Sequence, residues 1–394
     1  MKFLVTKELL FDVYTILAPT KKRKDFTFHY LYIVHTIRHS QVFNQNSDSS
    51  TFINLHSELL GKTISKLQTP TILKNLIKNK IIESDGVYIP GRKSFGYRVT
   101  GHYLSQKWHY AEVKDAELIG KISAITEKHS KDIRSKGIGY QTAAYWAKEI
   151  AINKRNALFY VNNPKNNFSD VQKTHYKISI ESVDNKQFFT SFSSTNRLYT
   201  NLTCIKSGLR QHLTIDKQPL YAIDITSSQP LFLGLLMRNN NNVDQEEVEN
   251  YLKIVCSGLF YEYIAERAGL NIDDKEVRNK FKQKIFSGCL FDHTRDKYSK
   301  LEIIFHESFP TILSECRNMK RGDHKILSRQ LQKMEAKFIF HCVELSAKAI
   351  GDVPLSTIHD AIVSTEENIY MVEQIVVAEF VKLKIYPKIK IEKL

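Results

Sequence analysis

Apolar and polar positions alternate with three different rhythms along the chain. In the first stretch, Thr69-Pro70 reads as an N-cap with proline in the first helical turn. Ile72, Leu73, Leu76 and Ile77 then recur at helical spacing, with Lys74, Lys78 and Lys80 outside that face. Strand-like runs follow at 81–85, 87–89 and 95–99, interrupted by Gly86 and by the basic turn Pro90-Gly91-Arg92-Lys93-Ser94. Helix, strand, basic turn, strand is the order of a winged helix. Residues 1–102 are therefore assigned as a winged-helix-like DNA-binding domain. Lys74 and Lys78 would sit in the major groove, and Arg92 and Lys93 on the backbone. The alternative is a basic helix and hairpin that only build a small domain, or that bind protein.

The second stretch, 103–190, reads as a helical thumb-like or linker region. Helical patterns at 116–125 and 141–152 are broken by a basic, polar run at 128–136. Residues 239–242 read as a loop.

The third stretch, 191–394, alternates strands and helices and carries the candidate chemistry. Residues 220–225 form a short apolar run of strand type ending at Asp224. Thr226-Ser227-Ser228 then offers capping hydroxyls, Pro230 suits a first turn, and 231–237 is a strongly apolar helix. Runs at 355–358 and 361–364 flank His359-Asp360, which predicts a tight hairpin with that pair at its tip. A capping box from Ser364 to Glu367 starts the helix beyond. Each aspartate alone is equally well a turn or capping residue. Taken together at adjacent strand ends, they are two hard oxygen donors suited to Mg²⁺, with Mn²⁺ as a substitute. Between them, Arg278, Lys282 and Phe286 fall at i, i+4 and i+8 on one helix face. Two cations and a ring there suit a nucleoside triphosphate. The bland reading is a solvated basic helix with Phe286 in the core.

Charge and cysteines narrow the class. The 394 residues carry 57 Lys and Arg against 42 Asp and Glu, a formal +15, which draws polyanions. No run approaches the roughly 20 apolar residues of a membrane span. Lys7, Glu8 and Asp12 interrupt any signal-peptide core. Five scattered cysteines offer no zinc spacing, and a reducing cytoplasm is expected, bacterial or phage- or plasmid-encoded.

Seven segments in order then resemble the family A DNA polymerases and the related single-subunit phage and mitochondrial RNA polymerases, over about residues 190–394. Thr195-Asn196-Arg197-Leu198 with Asn201-Leu202 is similar to TGRL…NLQNI, and Gly208-Leu209-Arg210 to GxxIR. YAIDITSSQPLFLGLL resembles motif A. Arg278-x3-Lys282-x3-Phe286 resembles the R-x3-K-x3-F fingers helix, with 259–269 leading to it and Phe305-x3-Phe309-Pro310 following. Gln332 with Glu335-Ala336 resembles the QGTAAD helix, and Ile358-His359-Asp360 resembles motif C.

The resemblance implies an α+β fold: a right-hand palm, an antiparallel sheet with helices, and fingers reduced because the segment between Phe309 and Gln332 is short. It implies two Mg²⁺ ions on Asp224 and Asp360, with Lys282 also catalytic. Arg278, Phe286 and Gln332 would bind substrate, and Arg197 and Arg210 the primer–template. His359 is either a phosphate contact or a packed turn residue. Partners would be DNA primer–template and dNTP, without a membrane. No segment is expected to be long enough for a proofreading nuclease plus thumb.

Three departures concern the sugar. The glutamate of DYSQIE, the gate against ribose, is missing near Pro230-Leu231. Motif C reads His-Asp-Ala, as in the RNA enzymes. Leu290 stands where a tyrosine is expected, although Phe286 favours the DNA side. The expected activity is template-directed DNA synthesis by 3′-end extension. The alternatives are a primase-like or RNA polymerase using rNTPs, a template-independent terminal transferase, and a non-catalytic replication initiator on a decayed palm.

Overall fold

Two hydrophobic cores organise the chain, one built mainly from its first 120 residues and a larger one from the remainder. The structure, a computed structural model, describes residues 1–17, 25–43, 51–293 and 298–394, with the side chains at 126 and 128–132 excluded. It combines helices with antiparallel sheets. Among the described residues no helix is long and apolar enough to cross a membrane.

In the N-terminal core the strand Lys2–Val5 pairs antiparallel with His109–Glu112, and the helix Thr27–Phe43 lies almost wholly buried beside it. Ile178, from the helix Asp170–Asp184, also packs into this core. A small sheet pairs Gly96–Val99 with Ile53–Asn54 on one edge and Ile82–Ser84 on the other. The basic helix runs Gln68–Lys78, two residues earlier than an N-cap at Thr69 predicts. Thr69 does not cap it; its hydroxyl donates to the Ser65 carbonyl at 2.7 Å. Nor is 87–89 a strand, being tied back only by one bridge between Ile89 and Lys93.

The break expected at 128–136 is absent. The helix Ala116–Ser135 runs through it, started by the Asp115 carboxylate accepting from the Leu118 amide at 2.9 Å. Lys and Arg are good helix formers, so a polar run need not end a helix. The next helix, Ile138–Glu149, crosses the long helix Ile326–Ile350 at close range. Only glycine fits at 139, because a Cβ there would lie 1.9 Å from the Phe340 carbonyl oxygen. Tyr140 then stacks on Phe340 with ring centroids 3.7 Å apart.

The larger core surrounds a six-stranded antiparallel sheet. Its central strand, Gln218–Ile225, pairs with Ala361–Thr365 on one side and Ile389–Lys393 on the other. Ser356–Ile358 closes the hairpin on Ala361–Thr365. Helices Ser228–Arg238, Ile326–Ile350 and Glu366–Lys382 contribute buried residues to the same core. The predicted box at Ser364 and Glu367 does not form. Thr365 occupies the N-cap position, and the Ser364 hydroxyl instead donates to the Pro354 carbonyl at 2.6 Å.

Candidate active site

Strand register brings the two aspartates together. Ile223 pairs with Ile362, so the next residue of the central strand, Asp224, comes level with Ala361, the residue that directly follows the two-residue turn His359-Asp360. The turn is tight enough to force His359 to φ 56°, a left-handed conformation that costs a non-glycine residue and recurs at functional sites. Ser227, three residues after Asp224, is likewise left-handed at φ 58°.

Neither carboxylate has a side-chain donor among the described residues. Burial pushes Asp360 up to about 7, with Glu335 and Asp224 adding like-charge repulsion. Asp224 is raised as well, first by burial and then by Glu392, against the pull of Lys282 and Lys390. A cation between the two would remove both penalties. The donor set fits magnesium, which takes one or two carboxylates and leaves its other positions to phosphates and water. No group of three or more His, Cys, Asp or Glu that could hold a metal ion occurs among the described residues.

Beside Asp224 lies a cavity of about 420 Å³ lined by Thr226, Glu262, Arg278, Lys282, Lys388 and Lys390, among others. Arg278 and Lys282 come from the helix Lys275–Ile285, capped by Asp274. Glu262 holds the Arg278 guanidinium at 2.8 Å, and Lys282 sits 5.0 Å from the centre of the Tyr261 ring. Burial, and then the neighbouring Arg278, lower the Lys282 ammonium from its usual range. Lys390 is the strand partner of Asp224, which puts the two side chains on one face. Lys388 and Lys390 were not picked out from sequence, although the alternation Lys388-Ile389-Lys390-Ile391 signals a strand with one cationic face.

Phe286 does not join this lining. The helix widens to a π-turn only from Phe286 onward, and Arg278, Lys282 and Phe286 all lie against the Tyr261 ring, at 5.5, 5.0 and 6.2 Å from its centre. The Phe286 ring also stacks on Phe291, with centroids 5.4 Å apart.

The largest omission is the role of Glu335. This carboxylate is fully buried and accepts from Arg197, the Ser228 hydroxyl and the Gln229 amide. It thus ties the long helix to the start of the helix after Asp224 and to the hairpin of Thr190–Phe192 and Leu198–Thr200. Gln332, one turn earlier, accepts from Thr195 at 3.2 Å. Its oxygens being committed to these donors, Glu335 is a structural hub rather than an open ligand.

His359 lies 5.7 Å from the Tyr199 ring, and burial, then Arg197 and Arg210, lower its imidazole to about 4. A neutral ring there still carries one N–H donor, so both roles, phosphate contact and packed turn residue, stay open. Arg210 is half-buried and donates to the Thr203 carbonyl at 3.4 Å. Lys74, Lys78, Arg92 and Lys93 lie outside this site, in the N-terminal unit; Lys93 is bound to Asp85 at 2.6 Å.

Adjacent strand-end carboxylates beside a cationic cavity define a candidate centre for phosphate chemistry. No protein-family model matches the sequence, and no curated protein matches it. Among solved structures, the chain is similar to the POL domain of Pol1 from M. smegmatis in complex with DNA primer-template and dNTP. The TM-score is 0.40 and the identity 12%, over 99% of this chain and 66% of that one. The chain thus spans just under two thirds of that domain's length.

Proposed function

We propose that the chain is a nucleotidyltransferase that extends the 3′-end of a primer on a DNA template with dNTPs, on a family A-like palm. One observation carries the reading: Asp224 lines a cavity together with Arg278, Lys282, Lys388 and Lys390, and Asp360 lies near enough to Asp224 to feel its charge. Such a cavity matches a triphosphate, and the carboxylates match the divalent ions that accompany one.

In this reading the four cations hold the triphosphate, Arg278 being pre-oriented by Glu262 so that little freedom is lost on binding. Lys282, already inclined to release its proton, is placed to protonate the departing pyrophosphate. Two magnesium ions bound by the aspartates would supply activation of the 3′-hydroxyl and neutralisation of the leaving charge. Arg197 and Arg210 face the primer–template. The N-terminal helix and turn would carry a second nucleic-acid contact.

Primer extension with Mg²⁺ tests this, run with dNTPs or rNTPs and with or without template. The expected outcome is templated dNTP addition that falls about 10³-fold in Asp360→Asn, the several kcal/mol that ion-mediated charge stabilisation supplies. Undiminished extension by Asp360→Asn would sink the reading. Preference for rNTPs would move it to the primase-like alternative, and template-independent addition to a terminal transferase.

A further inference from the structure

The helix Gln68–Lys78 was expected to bury one apolar face, yet only part of that face reaches the core. Ile72 and Leu76 are buried, whereas Ile77 is 40% exposed and Leu73 is only partly covered. Leu73 and Ile77 line a concavity of about 800 Å³, closed on the far side by Tyr88 and Phe95. Those two rings stack on each other, centroids 5.5 Å apart and planes 27° from parallel, while 57% and 43% exposed. So large an apolar hollow on a small basic unit marks an interaction site rather than scattered surface residues.

Charge decides what would fill it. Lys66 and Lys74 line the hollow, Lys78 lies one turn further along the helix, and Arg92 sits in the turn between the two rings. Lys74, Lys78 and Arg92 form no ion pair among the described residues. The one acid in the lining, Glu58, is held by Lys62 at 2.7 Å. A rim of uncommitted cations calls for a polyanion. Duplex DNA would present paired, polar base edges to Leu73 and Ile77 and leave the ring pair uncovered. An unpaired strand offers flat apolar faces and regularly spaced phosphates, the combination that stacking platforms with basic rims bind.

We propose that this concavity binds a single-stranded polynucleotide, with bases against Leu73 and Ile77 and on the Tyr88–Phe95 pair, and phosphates on Lys66, Lys74, Lys78 and Arg92. The site lies apart from Asp224 and Asp360 and does not depend on nucleotidyl transfer.

Fluorescence anisotropy of the full chain with labelled dT15 and U15 tests it, alongside a 15-base-pair duplex and an acidic amphipathic peptide as competitors. Tyr88→Ala and Phe95→Ala should each weaken single-strand binding about tenfold. Ile77→Glu should weaken it at least as much, and Lys74→Ala with Lys78→Ala should reduce the salt slope. Asp360→Asn should bind as the wild type does. The altered side chains are exposed, so thermal melting should stay unchanged, separating lost contacts from lost fold. The tighter of dT15 and U15 names the strand. Unchanged affinity in both aromatic variants, an equal loss on the duplex, or displacement by the peptide rather than by unlabelled strand overturns the proposal.

Discussion

Two basic surfaces of this protein differ in how their arginines are held, although the cavity lysines Lys282, Lys388 and Lys390 form no ion pair among the described residues. Around the aspartates the arginines are committed: Arg278 to Glu262, and Arg197 to Glu335. Around the N-terminal hollow, Lys74, Lys78 and Arg92 are not. A committed cation fixes geometry and keeps a neighbouring carboxylate ionised. A free one keeps its full attraction for an incoming polyanion. The +15 charge is therefore not one property but two, and only the structure divides it.

Glu335 offers the strongest way to break that contrast. Removing it leaves Arg197 as a largely buried charge without its counter-ion, and strips the Ser228 hydroxyl and the Gln229 amide of their acceptor. Glu335→Ala should cost about 3–5 kcal/mol, the usual penalty for breaking a buried pair from one side. Urea denaturation would show it as a lowered midpoint, and primer extension should fall with it because the turn after Asp224 loses its tie. Glu335→Gln should cost less. A midpoint unmoved by Glu335→Ala would mean that Arg197 is as free as the N-terminal lysines, and the comparison would fail.

Acid provides a second, smaller perturbation, aimed at the N-terminal unit. The His35 Nδ1 accepts the Leu4 amide at 3.0 Å, so that nitrogen must carry no proton. Burial lowers His35 to about 3, with His39 adding to the shift, and burial lowers His39 to about 4. Above an unfolded value near 6.5 both rings are neutral in either state and stability is complete. As pH falls below 6.5 the unfolded chain takes up protons that the folded chain refuses, so stability drains away. By pH 4 this amounts to about 3 kcal/mol for His39 alone. Asp360, raised to about 7, gains stability over the same window, so the histidines are read by difference. The urea midpoint of His39→Leu should lose less, or gain more, than that of the wild type between pH 7 and pH 4. An acid limb identical in the variant would show that these rings are not the cause.

What could be read in advance, and what could not, follows from sequence separation. Asp224 and Asp360 sit in strand and turn patterns complete within ten residues, so each was visible. Arg278 and Lys282 were visible because helical spacing is local. Glu335 was named only as part of a resembling segment; its role was not legible, since a carboxylate inside a helix looks solvated until Arg197, 138 residues away, closes on it. Lys390 needed the pairing of the strand Ile389–Lys393 with the central strand, which no local pattern declares. The hollow was hidden by a sound rule over-applied. Ile72, Leu73, Leu76 and Ile77 form one apolar stripe, but it is wider than the core beneath it, and the excess became a surface. Phe286 keeps the face that its spacing assigned, against Tyr261 with Arg278 and Lys282, but does not line the cavity.

The smallest expected effect separates the two surfaces most cleanly. The Asp85 carboxylate accepts from the Val87 amide at 3.0 Å, the Gly96 amide at 2.9 Å and Lys93 at 2.6 Å, which pins both ends of the segment carrying Tyr88 and Phe95. Lys93, and then the two amides, hold this carboxyl down to about 2 from 3.8, against the opposing pull of burial. Its contribution is therefore complete above about pH 4 and is lost only as pH falls toward 2, below the histidine window. Asp85→Asn keeps the shape but turns one acceptor into a donor facing Lys93 or an amide. The local cost should be about 1–2 kcal/mol. Anisotropy with dT15 should show roughly three- to tenfold weaker binding, part of that local cost, as the ring pair loosens. Primer extension on a pre-annealed template should not move, because no contact of Asp85 reaches the cavity beside Asp224. Loss of both together would mean that the hollow feeds the aspartates directly, and the two surfaces would have to be treated as one.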